Sequence, residues 1–183
     1  MQDKLFSNRK FLIDRLPKRG RVFAYKLLIK LGIIKQYGHF EVIVTDKDGK
    51  KTKAEGYNIL TNVGINQLGD VMIGVGTVRT INYLNVGTGT TTPAVGDTEL
   101  AAPAAGTTRP TVTTRARSNQ TLTFSLNISS SMYTRPVTLA EIAVYYTGAG
   151  GADGVLFARG LLGSTVILAA SATATVTYGV LLR

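Results

Sequence analysis

At 183 residues the chain has the size of one domain, with room for an appendage. It has no cysteine, no tryptophan and a single histidine, which excludes a disulfide scaffold, Cys-ligated zinc and a catalytic thiol, and leaves little for metal or triad chemistry. The formal net charge of +10 is placed unevenly: residues 1–35 hold ten basic and two acidic groups, a net of +8, and residues 36–183 carry the remaining +2.

A nearly neutral body with a cationic arm calls for an acidic partner: a protein surface, nucleic acid or anionic lipid. Within residues 21–35, Phe23, Leu27, Leu31 and Ile34 recur at helical spacing, and Lys26 and Lys30 lie four apart on another face. Pro17 and Gly20 separate this amphipathic helix from a shorter helical candidate at residues 8–16. Lys26, Lys30 and Gly32 break the apolar run, which falls short of the ~20 residues needed to span a bilayer. No small-residue cleavage site follows a clean apolar core. The plain reading is a helix packed on its own domain with a solvated basic face. The alternative is docking onto another subunit or component, with Phe23, Leu27, Leu31 and Ile34 as the apolar contact and Arg19, Arg21, Lys26 and Lys30 as the basic one.

From Gly38 the hydrophobic period changes to two. Phe40, Val42 and Val44 alternate with Glu41, Ile43 and Thr45, residues 46–49 read Asp-Lys-Asp-Gly, and a second strand returns to Tyr57: a β-hairpin. The same residues lack the third upstream carboxylate and the twelfth-position glutamate of a calcium loop. Residues 58–74 place Leu60, Val63, Gly64, Leu68, Val71 and Met72 on one helical stripe with Thr61 or Asn62 as cap, predicting one helix that covers an end or face of a sheet. Strands follow at residues 80–86, 107–117, 120–129, 139–146, 155–160 and 165–182, with a long Gly-, Thr-, Ala- and Pro-rich loop at residues 87–106. The expected fold is mainly β: an antiparallel β-sandwich or barrel with one covering helix, plus the N-terminal basic helical arm. Residues 1–35 form the docking arm and 36–183 the β-rich domain.

Catalytic constellations are sparse. His39 starts a strand and no G-x-S-x-G elbow exists. Of the body's carboxylates only Glu141 is embedded in a strand, the usual position of an ion-paired structural group. Gly87-Thr88-Gly89 follows a strand but lacks the third glycine of a dinucleotide fingerprint and the Gly-Lys-Ser/Thr end of a P-loop. Both glycines are therefore read as structural, allowing a turn out of the strand. Arg115 and Arg117 share a face without interleaved aromatics, which favours an interface over a single-strand nucleic-acid groove. No enzyme, cofactor or metal is expected.

Residues 58–74, followed by Ile81-Asn82-Tyr83-Leu84-Asn85-Val86-Gly87-Thr88-Gly89-Thr90-Thr91-Thr92-Pro93 and by Asp97-Thr98-Glu99-Leu100, resemble a family of small structural proteins of tailed bacteriophages. Glu141-Ile142-Ala143-Val144 and Gly154-Val155-Leu156-Phe157-Ala158-Arg159 match its later strands. The resemblance covers residues 56–182 and leaves the arm without a counterpart. It implies a virion protein, present in many copies, in the tail, neck or fibre-attachment region. Capsid decoration is the alternative, and a nucleic-acid- or membrane-binding module working through the arm is a further one. The expected partners are other virion proteins and copies of itself, as a trimer or larger ring, with nucleic acid less favoured and no transmembrane segment.

Overall fold

The computed structural model describes residues 38–75, 79–106, 109–147 and 154–181. Alternation at period two sets the architecture. In β1 (His39–Thr45) Phe40, Val42 and Val44 are buried while their neighbours are half-exposed. Asp46 closes the turn by accepting the backbone N–H groups of Asp48 and Lys50 at Oδ1, each at 2.9 Å. Gly49 takes the positive φ of +81° that the turn needs. The chain returns as β2 (Lys51–Leu60), with Phe40 opposite Gly56 and Val44 opposite Thr52.

Six further strands complete one sheet: β3 (Ile81–Gly87), β4 (Thr114–Ser118), β5 (Thr121–Ile128), β6 (Val137–Tyr146), β7 (Val155–Leu168) and β8 (Thr173–Leu181). Their order is β3-β6-β7-β2-β1-β8-β5-β4, with every pair antiparallel. The sheet curls into a half-barrel rather than splitting into two layers, so one set of inward faces makes the main core. Phe40, Leu84, Leu126, Ile142, Val176 and Tyr178 are all fully buried there. Phe40 packs its ring 4.8 Å from that of Tyr178, and Tyr146 lies 4.9 Å from Phe157.

Two loosely paired stretches, residues 102–106 and 109–112, run along the outer edge of β3. Ala104 N–H donates to Val86 O (3.0 Å), Leu84 N–H to Pro110 O (3.2 Å) and Val112 N–H to Asn82 O (2.8 Å). One residue later Thr113 N–H donates to Ser125 O of β5, at the other end of the sheet (2.7 Å). Arg115 on β4 reaches back to Ile81 O of β3 (Nε–O 3.1 Å). The same stretch of chain thus touches both edges and covers that of β3. Pro103 and Pro110 have no N–H to give, and Gly106 and Arg109 turn the backbone to positive φ, so no regular ladder closes the circle.

Two details differ from the periodicity reading. Residues 155–160 and the start of 165–182 are one strand, β7, and the break before β8 falls at residues 169–172. Gly163 and Ser164 lie in a bulge: Leu139 pairs with Val166 and Glu141 with Leu161, leaving four residues of β7 opposite one of β6. The helix is shorter than expected. Residues 58–60 pair with β7, and α1 (Asn62–Met72) begins behind the cap Thr61. Thr61 Oγ1 accepts Gly64 N–H (3.0 Å) and donates to Leu156 O (2.6 Å). Gly74, at φ +71°, follows its last turn. The helix also does not cover a face of the sheet. Gly64, set against the Phe157 backbone, is its only buried residue, and Val63, Leu68, Val71 and Met72 stay exposed. The cause is local: the cap and first turn are pinned to β7, and the rest of the helix leads away from it. Among the described residues no helix is long and apolar enough to cross a membrane.

Candidate functional site

The outer face of β6 and β7 is buried too, and the loop at residues 88–101 is what covers it. Leu100 lies there with Ala143, Tyr145 and Leu156 in a second apolar cluster, flanked by Tyr83. So small a cluster does not hold a loop made mainly of Gly, Ala, Thr and Pro. Two charged clusters do.

The first centres on Glu141 and Arg159, 0% and 2% exposed. Register places Arg159 opposite Ala143, so Glu141 is its diagonal neighbour on the same face. Glu141 Oε2 accepts from Arg159 Nε at 2.8 Å and lies 2.7 Å from its second terminal nitrogen. The carboxylate also accepts three backbone N–H groups of the loop: Gly89 (3.1 Å), Ala101 (3.1 Å) and Ala102 (2.8 Å). Arg159 in turn donates to Asp97 Oδ2 (2.6 Å) and to Thr91 O (2.9 Å). Burial alone would lower the guanidinium pKa, but the bonds to Asp97 and Glu141 outweigh it and raise it, so the charge is retained.

The second cluster joins Glu99, Arg109 and Tyr145. The Tyr145 hydroxyl donates to Glu99 Oε1, and Arg109 pairs with Glu99 Oε2. The same guanidinium lies over the Tyr145 ring, 4.6 Å from its centre, and donates to Gly154 O at 3.0 Å. Burial would push the Glu99 carboxyl up, yet the hydrogen bonds from Tyr145, Arg109 and the Leu100 backbone hold it below the usual range. Burial, with the Glu99 hydrogen bond, pushes the Tyr145 hydroxyl up.

Gly87 and Gly89 owe their identity to this latch. Neither has a positive φ. A Cβ on Gly87 would stand 2.5 Å from Ala102 O and 2.6 Å from Glu141 Oε1, and one on Gly89 would stand 2.3 Å from the same oxygen. Close approach, rather than the conformational freedom expected for a turn, is what excludes a side chain.

The residues singled out by the sequence therefore converge. Gly87, Gly89, Asp97, Leu100, Glu141 and Arg159 meet on one face, with Glu99 beside them. Arg109 belongs to the latch. The roles of Arg109, Tyr145 and Arg159 were not read from the sequence. A signal existed for Arg159: two apolar strands, each carrying one embedded charge, of opposite sign. His39 opens β1 with its ring 5.3 Å from that of Tyr57. The arm residues Arg19, Arg21, Phe23, Lys26, Leu27, Lys30, Leu31 and Ile34 lie outside the described residues.

Chemically, the latch is committed inward. The carboxylate of Glu141 is spent on five donor contacts, and Arg159 is spread over Glu141, Asp97 and Thr91. Such a group fixes backbone position and offers nothing to a substrate. Among the described residues no group of three or more His, Cys, Asp and Glu is placed to hold a metal ion. Set against protein-family models, curated proteins and solved structures, the chain matches none of them.

Proposed function

We propose that this chain is a virion structural protein of a tailed bacteriophage: a β module present in many copies, docked to the particle by its basic N-terminal arm in the tail, neck or fibre-attachment region. The observation that carries this reading is the convergence of the motif residues. The segments that resemble the phage family, Val86 to Gly89, Asp97 to Leu100, Glu141 and Arg159, build one internal latch that holds a long surface loop in a single shape. A module whose buried charges serve loop shape suits a building block that presents a fixed surface. The uneven charge, +8 in residues 1–35, supports an arm that meets an acidic component of the particle. Its partners are other virion proteins and further copies of itself, in a trimer or larger ring. The chain carries out no catalysis in this role.

The test is to locate it. Antibody against the body, applied to purified virions and imaged by negative-stain microscopy, is expected to label the tail, neck or fibre base. Label over the shell replaces that placement with capsid decoration. Absence of the chain from purified virions, by labelling and by mass spectrometry, refutes the reading. Deleting residues 1–35 is expected to abolish incorporation, and normal incorporation of the shortened chain refutes the docking role of the arm.

A further inference from the structure

Nine large hydrophobic side chains are exposed among the described residues, and seven of them fall between Val63 and Val75, on α1 and just past its end. The helix is anchored to the body through its cap and first turn. Its apolar arc is therefore presented outward, with Ile65 48%, Leu68 43% and Met72 79% exposed. Val63 lies on the far side of the helix from Met72; the other six leave on the order of 600 Å² uncovered, at the top of what a monomer ordinarily tolerates in one patch.

We infer that this face of α1 is a self-docking surface, whose occupant is the α1 of a second copy of the same chain. Four observations favour a copy over another partner. Ile65, Leu68 and Met72 are spaced three and four apart, the repeat by which two helices interlock side chains along a common seam. Asp70 is the sole charged residue of the helix, and Asn62, Asn66 and Asp70 share the opposite side, so two identical faces meet without like charges opposed. Such neutrality matters in a chain of net charge +10. Two such faces together remove roughly 1,200 Å², enough for a specific interface. Finally, Gly69 borders the seam with nothing within 4 Å of where a Cβ would stand. A glycine in mid-helix weakens the helix, and among the described residues no neighbour requires it. Close approach of a second helix backbone would.

The inference deepens the multi-copy role proposed above and takes its biological use from that reading, but its test does not need a virion. Light scattering on the full-length chain is expected to give a multiple of the monomer mass. The double variant Leu68→Asp, Met72→Asp is expected to shift to monomer with unchanged circular dichroism, since both side chains are exposed. Because the chain has no cysteine, single-cysteine variants report directly. Met72→Cys is expected to cross-link to itself through a short bis-maleimide. Ile167→Cys, also well exposed (64%) but on β7, is expected not to. A wild-type chain that is monomeric at all concentrations overturns the inference. So does an oligomer that persists in the double variant, or self-cross-linking of Met72→Cys no greater than that of Ile167→Cys. A chain that associates through α1 yet is absent from virions refutes the proposed function and leaves this inference standing.

Discussion

Truncating Glu141 to alanine tests the latch most sharply. The substitution removes the acceptor of three loop N–H groups and the main partner of a guanidinium that is 2% exposed. Breaking a buried ion pair by deleting one member costs about 3–5 kcal/mol, because the other charge stays buried. Each orphaned N–H would add about 1–3 kcal/mol if it stayed dry. The contributions cannot all accumulate, since the loop can peel away and let water in, and that release caps the total. The expected loss is therefore about 3–5 kcal/mol, a large share of the ~5–15 kcal/mol of a typical domain. Urea titration followed by circular dichroism reads it as a lowered midpoint. Heating reads it as a drop on the order of 10 °C, at roughly 2–4 °C per kcal/mol for a chain of this size.

The double replacement Glu141→Leu, Arg159→Met separates the ion pair from the backbone latch. Removing both charges lifts the penalty of the stranded guanidinium, but Gly89, Ala101 and Ala102 still lack an acceptor. Partial recovery is expected, with about 1–3 kcal/mol still missing. A Glu141→Ala loss below ~1 kcal/mol, the range of an exposed pair, would refute the reasoning. Full recovery in the double variant would show that the loop N–H groups find water at no cost.

Gly89→Val is expected to destabilise by about 1–3 kcal/mol through the clash with Glu141, and thermal unfolding checks it. Glu99 has a folded pKa below its unfolded value, so its contribution is present above the ordinary carboxylate range and lost as pH falls through the folded value; Glu99→Gln is expected to flatten that acid limb of a stability–pH curve. For the buried tyrosines the sign reverses: burial raises Tyr146 to about 12, so its contribution is complete below the unfolded value and fades from about pH 10 upward, and Tyr146→Phe is expected to reduce the alkaline loss. Residues 36–183 alone are expected to show the cooperative unfolding of the full chain, because all the alternating core strands lie within them.

The sheet was legible wherever one face alone is buried. β1 and β8 alternate cleanly, β5 does so from Leu126 onward, and Phe40, Leu126, Val176 and Tyr178 point inward as their spacing predicts. Period-two reading weakens in β6, where Leu139 to Tyr146 are buried on both sides, because the loop lies over the outer face. It fails in β7, where Gly160, read as the end of a strand, is paired on both sides and the chain runs on through the bulge at Gly163 and Ser164. The helix pattern located α1 and its cap Thr61, but amphipathicity records only that an apolar face wants cover. It does not say which surface supplies it. The latch was half legible: Glu141 stood out as an embedded carboxylate, while its partners lie 18 residues ahead, at Arg159, and 39 to 52 residues back, at Ala102, Ala101 and Gly89, and meet it only through strand register and a loop fold.

Why charges hold this loop, when apolar packing is the cheaper device, follows from its backbone. Ordering each loop residue costs about 1–2 kcal/mol, and of the loop's side chains only Leu100 joins the apolar cluster beneath. Leucines at positions 141 and 159 could recover the energy of an ion pair, as replacements of buried pairs often do. They could not accept hydrogen bonds from Gly89, Ala101 and Ala102, whose N–H groups point at the carboxylate. A carboxylate can take several such donors at once, and a guanidinium both neutralises it and extends the grip to Asp97 and Thr91. Gly89 then follows chiefly from the carboxylate, whose oxygen occupies the space a side chain would need, and Gly87 from the carboxylate together with the Ala102 backbone oxygen. Glycines, carboxylate and arginine form one unit in which changing any member strands the others. Gly89→Ala and Glu141→Ala are therefore not additive: once the carboxylate is gone only the Ala101 methyl, 2.9 Å from the added one, has to shift, so the double variant is expected to lose less than the sum of the two single losses. Additive losses would mean that the glycine answers to the backbone and not to the latch.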